Sequence, residues 1–450
     1  MDTPICDFVR AFSQSDTLRL HMPGHKGVCI LGMEHLDITE ISGADSLYEA
    51  NGIIAESEAN AAKLFGCRTC YSTEGSSQCI RAMLYLLMLY AKQLGRKPLI
   101  AAGRNAHKTF LTGVALLNMD VKWLYPRHGL SYISWDLSAD TVNDYLQEAE
   151  EKPFAIYLTS PDYLGHIADI SAIAEVCHRH DVLLAVDNAH GAYLRFLPES
   201  LHPMDLGADI CCDSAHKTLP ALTGAAYLHL SERMDLAVGS FVKNAMMLFG
   251  STSPSYLILQ SLDAVNLYLE DYPQRLQDFV REVQDMKNAL LQQGYSLYGT
   301  EPLKLTIAAK DFGYTGIQIG EYLRRNQMEP EFSDPDYLVL MLTPELGDSG
   351  LQRIAQVFSG LPKKDAIMEN PPQFLPGEQN LSIREMMLVN FETLPVDQCL
   401  GRILAVPTVG CPPAVPILMC GEKITEHAIS CFQYYGITHC SVVKNRMEDI

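Results

Sequence analysis

Lys217 stands in the polar run Asp213-Ser214-Ala215-His216-Lys217-Thr218-Leu219-Pro220, between apolar stretches at 208–212 and 222–228. Both stretches read as buried strands, with Lys217 in the short loop joining them. A lysine held near apolar walls loses hydration of its ammonium, so its pKa falls and the free amine becomes available. A free amine beside Ser, His and Thr can form a Schiff base with an aldehyde. A solvated lysine in a surface loop is the alternative that this stretch alone leaves open.

A second candidate is Asp187. The apolar run 182–186 leads straight into it, and Asn188, Ala189, His190 and Gly191 follow. A continuous apolar run of this length predicts a parallel strand buried on both faces. Ligands collect at the carboxyl ends of such strands, which is where Asp187 falls. A helix-capping aspartate is the other reading. Tyr71-Ser72-Thr73-Glu74-Gly75-Ser76-Ser77 opens a third candidate, because Ile80, Met83, Leu84 and Leu87 then follow helical spacing. Gly75, Ser76 and Ser77 at a helix N-terminus aim backbone N–H groups, hydroxyls and the positive dipole end at one point, as an anion site requires. A simple serine cap accounts for the same residues. Glu331 and Asp334 could pair with a cationic ligand or be solvated acids in a loop. Residues 20–27 place His21, His25 and Lys26 among two glycines and a proline, a turn with chemistry in it or merely a basic one.

These residues need positioning elements. Residues 70–230 alternate strand and helix, which predicts a mostly parallel sheet with helices on both faces. Residues 57–65 read as a helix closed by Gly66. Strands are expected at 98–103, 154–159 and 182–187, and a helix at 170–180. Residues 266–293 are helical in composition, with a break expected at Pro273. Short strands and helices alternate at 303–308, 317–325, 337–342 and 350–358. The expected division is an N-terminal arm (1–17), a large α/β domain (18–270), a small α+β domain (271–360), a linker rich in Pro, Lys and Glu (361–380) and a C-terminal α+β module (381–450).

Taken together, Ser214–Thr223 and Val186–Ala192 resemble the bacterial ornithine/lysine/arginine decarboxylases. So do Leu20-His21-Met22-Pro23-Gly24-His25-Lys26-Gly27, Ser72-Thr73-Glu74-Gly75-Ser76-Ser77, Arg104-Asn105-Ala106-His107-Lys108 and Thr252-Ser253-Pro254-Ser255-Tyr256, in the family's order. The resemblance spans about residues 18–440. It implies the aspartate-aminotransferase-like fold of pyridoxal phosphate (PLP) enzymes and α-decarboxylation of a basic amino acid, arginine favoured, lysine or ornithine possible, to agmatine, cadaverine or putrescine. By the same resemblance Lys217 carries the cofactor, Asp187 pairs with its ring nitrogen, and His107 lies on its ring. Gly75, Ser76, Ser77, Ser214 and His216 hold its phosphate. His21 lies near the site, and Ser253 and Ser255 reach a neighbouring subunit's cofactor, which implies a homodimer or higher assembly. Either the freed Lys217 or His190 could return a proton to Cα, and Glu331 or Asp334 could read the substrate's distal cation. The chain resembles the short members, which lack the amino-terminal wing domain. It departs from the family at Cys411-Pro412-Pro413-Ala414, where glycine usually follows the paired prolines; alanine there is not expected to take a positive φ. An aminotransferase on the same fold and a non-catalytic regulatory relative are the competing readings; retention of both Lys217 and Asp187 speaks against the second.

Composition narrows the function further. A net charge of −20 argues against a nucleic-acid surface and suits attraction of a cationic small molecule. The 13 cysteines are odd in number and many sit in apolar runs, which fits a reducing compartment. No zinc or other metal is expected at Cys67-Arg68-Thr69-Cys70, which lacks a second ligand pair. No signal peptide or membrane span is legible, so a cytoplasmic enzyme is expected.

Overall fold

The computed structural model describes residues 1–126, 132–135, 137–373, 375, 377–407 and 414–444. Its strands are β1 (Arg68–Ser72), β2 (Leu99–Gly103), β3 (Asp120–Leu124), β4 (Ala155–Thr159), β5 (Leu183–Asp187), β6 (Ile210–Asp213), β7 (Ala226–Leu230), β8 (Ser296–Tyr298), β9 (Lys304–Ala308), β10 (Phe332–Ser333), β11 (Tyr337–Met341), β12 (Phe391–Pro395) and β13 (His439–Val443). Two compact units emerge: Met1–Leu99 with Glu151–Ser160 and Ile170–Asp278, and Ile100–Glu150 with Pro161–Asp169 and Phe279–Ile450.

In the first unit the strand order is β1-β7-β6-β5-β4. β4, β5 and β6 pair in parallel, and β7 pairs antiparallel with both β6 and β1, so β7 alone runs against the rest. Every residue of β5 is buried. Leu184 and Val186 are fully enclosed, and each contributes about 1.5–3 kcal/mol by leaving water. Parallel strands must be joined by crossovers, and the helix Ile170–Arg179 makes the one between β4 and β5. Its apolar face buries Ile170, Ile173, Ala174, Val176 and Cys177. The helix Ile53–Phe65 closes at Gly66 as expected, with φ 72°.

Two boundaries differ from the expectation. Residues 215–218 form one turn of helix rather than a loop, and the following strand begins at Ala226, not Leu222. The turn forms because β6 ends at Asp213 and Ser214 holds extended backbone angles, which lets the chain coil at once. The helical break falls between Tyr256–Tyr268 and Tyr272–Gln292, so Pro273 lies inside the second helix. Proline is tolerated there because first-turn N–H groups have no helical partner to lose.

In the second unit β10-β11-β9-β8 form an antiparallel sheet, and β12 pairs antiparallel with β13. The helix Gly316–Arg325 starts with a reciprocal cap between Thr315 and Gln318. Buried Arg104 and Glu422 pair at 2.7 Å. Cys411, Pro412 and Pro413 lie outside the described residues. Ala414 does take a positive φ, 57°, contrary to expectation, and its carbonyl accepts the Lys108 N–H at 3.0 Å. Glycine would take this φ without strain.

Candidate active site

Lys217 and His190 meet in the first unit, Nζ to Nε2 at 2.9 Å. The helical turn after β6 carries Lys217, and the loop after β5 carries His190. Both follow the carboxyl ends of parallel neighbours, so strand pairing brings together residues 27 positions apart.

Asp187 ends β5 and is 2% exposed. Its Oδ2 accepts the Tyr157 hydroxyl at 3.1 Å, and its Oδ1 accepts the Ala189 N–H at 3.3 Å. Burial raises its pKa, and the Lys217 ammonium and these donors oppose the rise. Oδ1 also receives the Cys212 thiol at 3.8 Å, while Oδ2 keeps a further lone pair. An acid placed this way suits a cationic ring N–H, whose charge would offset the burial.

Gly75 caps the helix Ser76–Gln93 at φ 71°, a conformation natural to glycine, and the helix start has no side-chain cap. A side chain added at Gly75 would meet only the Ser77 nitrogen, at 4.0 Å, so the space over this helix start is open. The Ser214 hydroxyl bonds Ser76 Oγ at 2.8 Å, tying the Lys217 turn to the same helix start. His216 Nδ1 lies 2.8 Å from the Ala225 carbonyl, to which it must donate. Burial lowers its pKa, and a neutral ring then presents a bare Nε2. His216 donates to an anion only when charged, a state that a phosphate dianion beside it would restore.

Two buried hydroxyls, Thr159 Oγ1 and Thr218 Oγ1, find no hydrogen-bond partner among the described residues. Thr159 is the register partner of Asp187 at the end of β4, and Thr218 follows Lys217. Buried polar atoms are almost always satisfied, so these two hydroxyls beside Asp187 and Lys217 are open to a partner that a bound group could supply. The residues therefore fit PLP: an amine, a buried acid at a strand end, an open helix N-terminus and unsatisfied hydroxyls. Sequence reasoning missed Tyr157 and Thr159. The strand-end rule that selected Asp187 reaches Thr159, which follows the apolar run at 154–158, but not Tyr157, which lies inside it.

The remaining candidates are placed as follows. His107 caps the helix Lys108–Leu117 in the second unit, its Nδ1 accepting the Thr109 N–H at 3.1 Å. Glu331, also in the second unit, accepts the Tyr163 hydroxyl at 2.8 Å and lines a cavity of about 490 Å³ with Leu340, Leu342 and Arg353. Asp334 is buried, and its Oδ1 takes the N–H groups of Asp336 at 2.8 Å and Tyr337 at 2.6 Å, closing the β10–β11 turn. Burial raises its pKa to about 7. His21 contacts the Met22 carbonyl and the Phe12 ring. Ser253 is exposed, and Ser255 precedes the helix Tyr256–Tyr268. Among the described residues neither hydroxyl is bonded to the Lys217 network.

With this geometry established, comparison with known proteins defines the class. The Orn/Lys/Arg decarboxylase major-domain profile matches residues 3–303, and the C-terminal-domain profile of the same family matches residues 370–442. The chain belongs to the Orn/Lys/Arg decarboxylase family and is a PLP-dependent amino acid decarboxylase. It is 27% identical to an arginine decarboxylase of Bacillus subtilis, covering 95% of this chain and 92% of that protein. A second arginine decarboxylase, from Halalkalibacterium halodurans, is 29% identical over 94% of this chain and 91% of its own length. The fold is shared with the lysine decarboxylase of Francisella novicida, at TM-score 0.80 and 16% identity, covering 98% of this chain and 81% of that one.

Proposed function

We propose that this enzyme decarboxylates arginine to agmatine, with lysine and ornithine as the competing substrates. The support is the similarity along almost the whole chain to two arginine decarboxylases. The observation that carries the catalytic assignment is the Lys217–His190 contact at the end of the Asp187 strand.

Lys217 would hold the cofactor covalently, Asp187 its ring nitrogen, and Gly75, Ser76, Ser77, Ser214 and His216 its phosphate. His107 is assigned to the ring face. Bound PLP supplies the electron sink for the pair left when CO₂ departs. Asp187 keeps the ring nitrogen protonated, since its burial makes it seek a cationic partner. Lys217 and His190, 2.9 Å apart, are the groups that would return a proton to Cα. Glu331 is assigned to the substrate's distal cation. It lines a cavity with mixed walls, leucines beside Gln327, Glu329 and Arg353, and a charge-assisted bond there would be worth roughly 1.5–3 kcal/mol.

We also read the chain as a cytoplasmic homodimer active in polyamine formation, with the large, small and C-terminal domains divided near residues 270 and 380. Leu18, Leu20, Ile30 and Leu31 are each at least 76% exposed, a patch that a second copy would cover. Met247, Leu248 and Phe241 are exposed as well, whereas Met246 is buried in the subunit itself. No helix among the described residues is long and apolar enough to cross a membrane. Measuring CO₂ release from arginine, lysine and ornithine tests the substrate. Release from arginine no faster than from the other two would overturn the preference.

A further inference from the structure

We propose that Asp213 is a positioning residue for the active site: its buried carboxylate, gripped by His202, His229 and Asn188, fixes the strand ends that present Asp187 and Lys217. The proposal rests on the assignment of Asp187 and Lys217 to the cofactor given above.

Asp213 is the last residue of β6 and is wholly buried. Its Oδ2 lies 3.0 Å from His202 Nε2 and 3.1 Å from His229 Nε2. Its Oδ1 accepts from Asn188 Nδ2 at 2.7 Å, and the Cys211 thiol stands at 3.7 Å. Burial works against the charge, but the two imidazoles win and hold the carboxyl well below its ordinary range. The group is therefore an anion inside the core, tolerated because donors meet both of its oxygens.

Counting protons decides what the array is. His202 Nδ1 accepts the Met204 N–H at 3.4 Å, so its ring proton sits on Nε2 and points at Asp213. His229 Nδ1 lies 3.0 Å from the Thr69 hydroxyl and 3.8 Å from the Cys67 thiol, and its Nε2 must donate to Asp213, because an ionised carboxylate can only accept. The ligand atoms of His202, Cys211 and Asp213 lie within 4.8 Å of one another, a spacing that could suit a metal ion. A metal would need the bare lone pair on His202 Nε2 and would move the proton to Nδ1, against a backbone donor. The array is built for hydrogen bonds instead.

The bonds lead to the active site. Asn188 follows Asp187 directly, and its N–H donates to the Cys212 carbonyl at 3.0 Å. With the Nδ2 bond to Asp213, it extends the β5–β6 pairing past the last backbone rung. Asn188 is also wedged on its other side: a side chain at Gly191 would come within 2.0 Å of its Oδ1. Gly191 follows His190, the residue in contact with Lys217. One carboxylate thus ties β6, β7 and the His202 segment to the loop that carries Asp187 and His190. Catalytic groups lose much of their effect when displaced by a fraction of an ångström to an ångström.

The test is Asp213→Asn in the holoenzyme. The amide can serve only some of the donors, and its own N–H₂ then faces an imidazole N–H. The expected result is a loss of about half or more of the visible circular dichroism of bound cofactor, and a kcat about 10-fold lower with KM within about 2-fold. Wild-type dichroism and kcat with only a lower Tm would reduce Asp213 to a stability role and overturn the proposal. If that variant does not fold, His229→Gln against His229→Leu decides. Gln keeps an N–H donor and should retain most of the dichroism, Leu should not, and equal behaviour overturns the proposal. The expected change in dichroism without turnover of any basic amino acid upholds the positioning role while refuting the substrate assignment.

Discussion

Lys217 Nζ and His190 Nε2 lie 2.9 Å apart, although 27 residues separate them in the chain. The contact sets an amine and an imidazole within proton-transfer distance of each other beside the Asp187 strand end. Lys217→Ala is expected to abolish turnover and covalent cofactor attachment. Borohydride treatment followed by mass analysis of the peptide checks this, and cofactor still fixed to the variant would refute the assignment.

Asp187→Asn should retain some PLP but lose activity by about 100-fold, because an amide offers the ring nitrogen no compensating charge. Steady-state kinetics on cofactor-saturated variant distinguishes this from poor loading. Near-normal turnover would remove the electron-sink role.

For Glu331→Gln, KM for the basic amino acid should rise roughly 10-fold, equivalent to about 1.4 kcal/mol. PLP binding should be unchanged. Asp334→Asn should affect KM less, since the Asp334 carboxylate is already occupied by the turn. An unchanged KM in Glu331→Gln would mean that the cation is read by another carboxylate.

Asp334 also makes stability depend on pH. Its folded pKa, about 7, lies above the unfolded value of about 3.9. Between these the folded state binds more protons, so stability falls as pH rises from about 4 through 7. Asp334→Asn keeps an oxygen for both turn N–H groups and should flatten that decline. Thermal melts across this window check it, and an unchanged slope would exclude Asp334 as its source.

The patch containing Leu20, Ile30 and Leu31 should be covered by a second copy of the chain. Sedimentation of the holoenzyme is expected to show a dimer or a larger assembly. An active monomer would contradict it.

The sheet and the principal site were legible because they rest on short-range signals. Five apolar residues leading into Asp187 announce a buried strand, and small residues before an apolar periodicity announce the helix at Ser76. Thr159 ends an apolar run just as Asp187 does and is open to the same rule, but the bond from Tyr157 to Asp187 depends on which strands become neighbours. The Asp213 array draws on residues 69, 188, 202, 213 and 229, and no local pattern announces such convergence. The Lys217 turn reads as a loop in the sequence because four residues are too few to show a helical period. Pro273 was read as a break because proline disrupts helix interiors, whereas here it occupies a helix start.

Ala414, with φ 57°, passes its carbonyl to the N–H that follows His107. Left-handed geometry costs an L-residue about 1–2 kcal/mol, while glycine adds roughly 0.4–1 kcal/mol of chain freedom to the unfolded state. The Ala414 methyl is itself buried, 2% exposed, and taking it out of the core would forfeit about 0.8 kcal/mol more. The three contributions nearly cancel, so at this turn the chain uses its strain to fill space, and alanine and glycine become almost interchangeable in cost though opposite in kind.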